Sequence, residues 1–202
     1  MSSQPKDASH KLFDVMAASR HVAKQLHLPV QSGCDRVLRA MNRHYDRETY
    51  LEKVRYAKAV MPQLVLTSDV IVGFPGETEE EFEETVSLIQ QVHYDSLFTF
   101  IFSPRVGTPA AGMDDPTPKA EKSRRFDRLC AVQNAISEEI HTGYIGQELR
   151  CLVDGREGEK LTARTEGGRL VRFAGEDALI GSFRRLKITG ATTWSLVGEL
   201  AE

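Results

Sequence analysis

Asp69-Val-Ile-Val-Gly-Phe-Pro-Gly-Glu-Thr78 lies near the centre of the chain, and His27-Leu-Pro-Val-Gln-Ser-Gly33 lies upstream of it. Each stretch is a short apolar strand that ends in a glycine-bearing turn, and a helical pattern follows each turn. Because side chains alternate along a strand, the polar His27 and Gln31 share one face of the upstream stretch. Thr67 and Asp69 likewise share a face of the other strand. These polar groups lie where a purely structural buried strand would be apolar.

A third stretch, Leu97-Phe-Thr-Phe-Ile-Phe-Ser103, places its phenylalanines on one side and Thr99 and Ser103 on the other. Segments of roughly 30 residues with helical periodicity separate the three strands, a length that suits right-handed crossovers between parallel strands. A sheet face with His, Gln, Thr, Asp and Ser indicates a barrel interior. We therefore predict an α/β fold, part of a β/α barrel, with a site at the carboxyl ends of the strands.

Three helices are predicted from their end signals and periodicity. Thr78 and Glu81 form a capping-box pattern, and Asp46 is a candidate N-cap for a helix that reaches Val60 before Pro62. A third helix is predicted from about Lys119 to His141. Its charged side is expected to be solvated and comprises Glu121, Lys122, Arg124, Arg125, Asp127 and Arg128.

Composition narrows the class of protein. The 202 residues carry a net charge of -3, which by itself does not indicate nucleic-acid binding. The sequence shows neither an apolar run of about 18 residues nor a signal-peptide pattern at its start, so a cytoplasmic protein is expected. Cys34, Cys130 and Cys151 are widely spaced and odd in number. We expect reduced thiols and no metal ligands.

Helical periodicity ends after Ile140, which predicts one domain at 1–141 and a second at 142–202. The second has the spacing of a small five-stranded all-β barrel with glycine turns. Residues 160–187 contain seven basic and three acidic residues. A basic barrel face suits RNA phosphates, and ordinary surface arginines are the alternative. The predicted strands span 149–153, 161–164, 170–173, 183–189 and 195–200.

Five motifs in order, HLPVQSG, MNRHYDRETYLEKV, TSDVIVGFPGETEEEFEET, FTFIFSPRVGTPAA and SLVGEL, resemble the C-terminal portion of radical S-adenosylmethionine (SAM) tRNA methylthiotransferases of the MiaB type. The resemblance covers roughly residues 10 to 200. It implies the C-terminal half of a radical SAM barrel, followed by an OB-like TRAM domain that binds RNA. It also implies the family reaction, the addition of a 2-methylthio group to isopentenyladenosine next to the tRNA anticodon.

The family uses SAM, two [4Fe-4S] clusters and an electron donor. None of the three cysteines matches the family's cluster ligands, so the resemblance implies that this chain alone is inactive. Two alternatives stay open, namely a stand-alone RNA-binding protein without catalysis and the sister enzyme that methylthiolates an aspartate of a ribosomal protein. Half a barrel would also leave two unpaired strand edges, which predicts self-association.

By position, the resemblance gives candidate residues for two kinds of contact. The cofactor candidates are Gln31, Ser32, Asp69, Gly73, Glu77 and Ser103. The candidates for substrate or RNA are Arg105, Arg164, Arg169, Arg172, Arg184, Arg185 and Lys187. Structural roles compete with these: Gln31 could bond neighbouring backbone groups, and an acid such as Glu77 is favoured in a first helical turn in any case. No catalytic residue is assigned.

Overall fold

A computed structural model describes residues 3–201. Its first half contains a three-stranded parallel sheet in the order β1-β2-β3. The strands are β1 (Gln25–His27), β2 (Val65–Val72) and β3 (Ser96–Ile101). All three run in the same direction, so their carboxyl ends meet at one edge of the sheet. The predicted α/β arrangement is confirmed.

Helices cover one face of this sheet. They are α1 (His10–Ala18), α2 (Asp35–Ala40), α3 (Arg47–Val60), α4 (Glu79–Val92) and α5 (Lys119–Thr142). One continuous apolar core joins the strands to α1, α3, α4 and α5. The opposite face stays open, and Phe98 and Phe100 are each more than half exposed there. The sheet is therefore one wall of a barrel, with its interior side uncovered.

The predicted helix ends are confirmed. The Asp46 side chain accepts a hydrogen bond from the Thr49 amide at the start of α3. Thr78 and Glu81 exchange both bonds of a capping box at the start of α4. These local signals work because each satisfies backbone donors that a helix leaves unpaired.

Strand β1 is shorter than the sequence pattern suggests, because Pro29 has no amide to donate. Ser68 of β2 bridges the interruption. Its hydroxyl donates to the Leu28 carbonyl and accepts from the Val30 amide, both at 2.9 Å. Pairing then resumes as a single bridge between Gln31 and Val70. The polar Ser68 on the buried side of β2 thus replaces a missing rung of the ladder.

The prediction that Thr99 of β3 faces the barrel interior was wrong, whereas Ser103, beyond the end of β3, does line a cleft at the carboxyl ends of the strands. Asp69 pairs with Phe98 and Ile71 pairs with Phe100, and paired residues in a sheet point to the same face. The interior side of β3 therefore carries phenylalanines, and Thr99 lies beside Cys130 of α5. The alternation of side chains along β3 is as predicted. Which of its two faces points to the barrel interior depends on its register against β2, and the sequence of β3 does not give that register.

The fully solvated charged face predicted for α5 was also wrong at two positions, since Lys122 and Arg125 are buried. Arg125 donates to the Glu77 backbone carbonyl at 2.9 Å and also pairs with Glu79 and Glu121. Lys122 pairs with Asp115. Arg125 thus joins α5 to the turn before α4, while the Lys122 stem packs against Gly73 at the end of β2 and its ammonium reaches the loop before α5.

The second half is a closed barrel in the order β4-β5-β6-β8-β7. Its strands are β4 (Glu148–Glu157), β5 (Lys160–Thr165), β6 (Leu170–Phe173), β7 (Phe183–Ala191) and β8 (Leu196–Leu200). Inward side chains form a separate apolar core that includes Val153, Leu161 and Ile188. The predicted small all-β barrel is confirmed, with strand ends that agree for β6 and differ by at most four residues elsewhere.

The two halves meet at the amino ends of the parallel strands. Arg169, between β5 and β6, forms a buried ion pair with Asp95 just before β3, and its guanidinium lies over the Tyr144 ring. Asp95 also accepts a hydrogen bond from the Leu66 amide at 2.6 Å. The small barrel is thereby held at the end of the sheet opposite the carboxyl ends.

Within residues 3–201, none of the helices has both the length and the apolar character needed to cross a membrane.

Candidate functional site

A cleft of about 650 Å³ lies at the carboxyl ends of the parallel strands. Its floor is formed by Gln31, Asp69 and Ile71, and its walls by Phe74, Phe100 and Phe102. The loop after α2 and the loop after β3 close its sides. The sequence predicted a site at this edge, and the cleft has both apolar surface for a ring system and polar groups on its floor.

Gln31 is held on the floor by an unusual backbone. Its φ is 71°, in the left-handed region that non-glycine residues rarely adopt. Its amide donates to the Asp69 carbonyl at 2.8 Å, and its carbonyl accepts from the Ile71 amide at 2.9 Å. The residue is only 8% exposed, yet no hydrogen bond joins its side-chain amide to another part of residues 3–201. The amide thus keeps its donors and acceptor for a ligand in the cleft.

Asp69 lies next to Gln31 and is positioned by His27. His27 Nε2 is 3.4 Å from Asp69 Oδ1, while His27 Nδ1 is 2.9 Å from the Thr67 hydroxyl. The Asp69 side chain is about one quarter exposed, so its carboxylate can both contact the imidazole and reach the cleft. A carboxylate so placed suits a cationic or hydroxyl-bearing ligand.

Arg43 is a site residue that the sequence reasoning missed. It lines the cleft, and its Nε is buried without a hydrogen-bond partner within the described residues. A buried guanidinium nitrogen without a partner is costly, which indicates a ligand oxygen as its natural acceptor. The available signal in the sequence was Asn42, a residue type that tolerates the left-handed region, and its φ is 56° in the turn between α2 and Arg43.

Ser32 and Glu77 do not line the cleft. The Ser32 hydroxyl is buried 3.4 Å from the Thr85 hydroxyl of α4 and accepts from the Cys34 amide. Glu77 accepts from the Gly73 amide at 2.7 Å and lies 3.6 Å from Arg125. Burial raises the pKa of Glu77 to about 7. Both side chains brace the turns behind the cleft.

Gly73 is required by packing. Its φ is +70°, and an added Cβ would lie 2.6 Å from Cγ of Lys122. A side chain here would displace the buried Lys122 stem.

Ser103 and Arg105 lie at the cleft mouth. Both line the cleft and are exposed, in the loop that follows β3. A mobile anion or an RNA phosphate could reach Arg105 from solvent. The structure therefore brings together at one cleft Gln31, Asp69, Ser103 and Arg105, and adds Arg43 to them.

The basic residues of the small barrel fall into two groups. Arg169 is only 9% exposed in its pair with Asp95, so it cannot contact RNA in this conformation. Arg164 pairs with Asp154, and Arg172 pairs with Glu157 and donates to Ser195. The exposed group belongs to β7 and consists of Arg184, Arg185 and Lys187.

Arg150 and Phe183 extend this exposed group, although neither was a candidate from sequence. Arg150 lies opposite Arg185 across the β4–β7 pair, and its guanidinium is 3.9 Å from the centroid of the Phe183 ring. The name β7 basic face is used below for Arg150, Phe183, Arg185 and Lys187, which lie on the outer side of the barrel.

The three thiols lie apart, in the loop after β1, in α5 and in β4. Burial raises the pKa of each thiol, to about 11 for Cys151. Over residues 3–201, no three His, Cys, Asp or Glu side chains cluster in a way that could hold a metal ion. These cysteines do not fit the thiolate ligand set of an iron–sulfur cluster.

Comparison with known families agrees with this architecture. The profile of the radical SAM superfamily matches residues 5–89, and the profile of the TRAM domain matches residues 143–201. Coproporphyrinogen III oxidase from Escherichia coli, a radical SAM enzyme, superposes with a TM-score of 0.57 at 21% identity. The superposition covers 67% of this chain and 31% of that enzyme, and it supports the fold alone.

Curated relatives include tRNA-2-methylthio-N(6)-dimethylallyladenosine synthases from Clostridium botulinum (strain Langeland) and Desulfitobacterium hafniense (strain Y51). They are 46% and 47% identical, and each alignment spans 98% of this chain and 45% of the relative. The synthase from Geobacillus thermodenitrificans is 45% identical, over 99% of this chain and 39% of its own length. The chain thus spans less than half of each relative. Nearly all of this chain is therefore similar to one portion of these synthases, a portion that carries part of a radical SAM barrel and a TRAM domain.

Proposed function

We propose that this chain is the part of a tRNA methylthiotransferase that completes the SAM cleft and holds the tRNA. In that activity, a 2-methylthio group is added to isopentenyladenosine next to the anticodon. The observation that carries the proposal is the cleft, where Arg43, Asp69 and Gln31 converge with unused hydrogen-bonding capacity. The relatives' names and the exposed basic residues of the TRAM domain support tRNA as the substrate.

The polar groups of the cleft fit the amino-acid end of SAM. That end carries a carboxylate and an ammonium, which suit the Arg43 guanidinium and the Asp69 carboxylate. Phe74 and Phe100 supply apolar surface for the adenine ring. When bound and reduced by one electron from an iron–sulfur cluster, SAM supplies a radical that removes a hydrogen atom from an unreactive carbon.

In this proposal, the residues of this chain bind and orient SAM and shield it from water. They break no bond themselves. His27 fixes the rotamer of Asp69, and the bridge between Gln31 and Val70 fixes the floor of the cleft. Aromatic walls limit the entry of water, which protects reactive intermediates. Since the cysteines present do not fit a cluster, both [4Fe-4S] clusters and the contact with an electron donor are proposed for other parts of the enzyme. The cytoplasm, where tRNA is modified, is the proposed location.

The cleft can be tested with SAM itself. Isothermal titration calorimetry of this chain with SAM should show binding that Arg43→Met weakens by about 10- to 100-fold, because a charge-assisted hydrogen bond is lost. The matched control is Arg55→Met on the outer side of α3, where Arg55 is exposed and pairs with Glu48. Equal affinity for the wild type and Arg43→Met would contradict the assignment.

A further inference from the structure

We infer that Phe183 and Arg150 on the β7 basic face form a stacking site for one unpaired RNA base, with Arg150 and Arg185 as contacts for a flanking phosphate. The inference rests on the proposed tRNA function and names the contact that would distinguish single-stranded RNA from duplex.

The first observation is the geometry of the Phe183 ring. Phe183 is 51% exposed. It lies outside the barrel core, which other apolar side chains fill. The Arg150 guanidinium covers the ring at 3.9 Å from its centroid. A cation on one face holds the ring in place and leaves the rest of the ring to solvent. Such a ring is a platform on which a nucleobase can stack.

The second observation is the charge around the ring. Arg184 lies opposite the buried Cys151, so it belongs to the other side of β7 and is left out. Arg150 and Arg185 lie directly opposite each other on adjacent antiparallel strands. Like charges in that position repel each other. An anion between them would remove the repulsion, so the arrangement favours a bound phosphate.

The acids near this group are weak competitors for its cations. Glu148 is 3.9 Å from Arg185, and Glu166 is 3.6 Å from Arg150, with all four side chains half exposed or more. Exposed pairs of this kind contribute little and exchange readily for a phosphate. Lys187 differs, because it lies opposite both Glu148 and Glu199 across its two neighbouring strands. We therefore assign the phosphate contacts to the arginines and leave Lys187 out.

An unpaired base is the ligand that fits both observations. Stacking needs a base whose face is free, and bases inside a duplex have both faces covered by their neighbours. The anticodon loop of a tRNA offers such bases. Aliphatic or peptide ligands would use the apolar surface without needing the planar ring.

The test is fluorescence anisotropy of this chain with a labelled single-stranded RNA and with a duplex RNA, across a salt series. Phe183→Ala should weaken binding of the single strand about tenfold without changing the salt dependence. Phe183→Tyr should restore the affinity, and Phe183→Leu should not. Binding of the duplex should be unaffected by all three. Arg185→Gln should lower the slope of log affinity against log salt by about one.

The matched control is Ile145→Ala, which removes an apolar side chain with 48% exposure from the same domain. Full affinity in Phe183→Leu, or an equal loss for duplex and single strand in Phe183→Ala, would overturn the stacking site. Salt-dependent RNA binding that ignores every Phe183 substitution would overturn this inference and leave the proposed function intact. Failure of the wild-type chain to bind RNA at low salt would overturn both. Phe183 lies outside the barrel core, so circular dichroism melts should be unchanged.

Discussion

Glu77, in the turn behind the cleft, makes the free energy of unfolding depend on pH. Because its pKa is raised from the ordinary value of about 4.5 to about 7, the folded chain keeps a proton that the unfolded chain loses. The folded state therefore binds more protons between these two values, and the free energy of unfolding falls as pH rises through that window. Desolvation is the largest cause of the raised pKa, and the Gly73 amide and Arg125, whose Nη1 is 3.6 Å from Glu77 Oε2, offset only part of it.

We expect urea unfolding of the wild type to lose roughly 3 kcal/mol between pH 4.5 and 7.5 relative to Glu77→Gln. Glutamine keeps an acceptor for the Gly73 amide and has no proton to lose. Glu84→Gln, an exposed change on α4, should leave the pH dependence of the wild type in place. Parallel curves for the wild type and Glu77→Gln would show that Glu77 is ionised in the folded chain without cost.

At the residue scale, polar side chains on strand ends were predictable, and their partners were not. Gln31 and Asp69 reach the cleft because strand alternation fixes the direction of a side chain. Ser32 follows the strand in a turn, where alternation no longer applies, and it points to α4. Arg169 looks like an exposed RNA contact in the sequence, but its side chain pairs with Asp95. The two residues are 74 positions apart. Long-range pairing of this kind leaves no local signal.

At the element scale, Ser68 decides whether the sheet tolerates Pro29. Its hydroxyl makes two buried hydrogen bonds across the gap in the β1–β2 ladder. The Leu28 carbonyl has a further donor in Tyr50, at 2.8 Å, whereas the Val30 amide depends on Ser68 alone. Loss of the hydroxyl would leave a buried amide unsatisfied.

Ser68→Ala should lower the free energy of unfolding by about 1–3 kcal/mol, as measured by chemical denaturation. Ser123→Ala on α5 serves as the control, because Ser123 is half-buried and makes no side-chain hydrogen bond to the described residues. We expect the control to change stability by less than about 0.5 kcal/mol. A neutral Ser68→Ala would mean that water or backbone movement restores the bond.

Elements were predicted best where the signal is local. Capping residues and periodicity gave α3, α4 and α5 nearly to the residue, since both act within a few positions. The length of β1 and the face of β3 that is open to solvent were predicted less well. Both depend on how each strand pairs with β2, and pairing is not visible in the sequence of one strand. The buried Lys122 and Arg125 resemble ordinary helix-surface residues until α4 is in place.

At the scale of the whole molecule, the buried Asp95–Arg169 pair fixes the TRAM barrel to the sheet. We propose 1–141 and 142–202 as the two domains, joined through this pair and through His141, whose Nδ1 is 2.8 Å from the Thr192 carbonyl. The link attaches the small barrel to the amino ends of the parallel strands.

Arg169→Met should leave Asp95 buried without its cation and cost about 3–5 kcal/mol. Calorimetry should then resolve two unfolding transitions in place of one, because the domains lose their coupling. Arg164→Met is the control, since Arg164 is half exposed and pairs only at the surface with Asp154. One cooperative transition in Arg169→Met would show that the apolar contacts between the domains suffice.

We predict that this chain self-associates through the open face and the unpaired edges of the parallel sheet. Phe98 and Phe100 are exposed there, and the outer edges of β1 and β3 have no strand partner within residues 3–201. Light scattering coupled to gel filtration measures it, and a monomer at high concentration would contradict it.

The central claim, that this chain grips tRNA through the β7 basic face, is tested most directly by anisotropy with an anticodon stem-loop across a salt series. Stem-loops with and without isopentenyladenosine should bind equally, because the contacts are to phosphates and one stacked base. The slope of log affinity against log salt should be about -1 to -2, for two arginine contacts. Absence of binding at low salt, or affinity that ignores salt, would contradict the account.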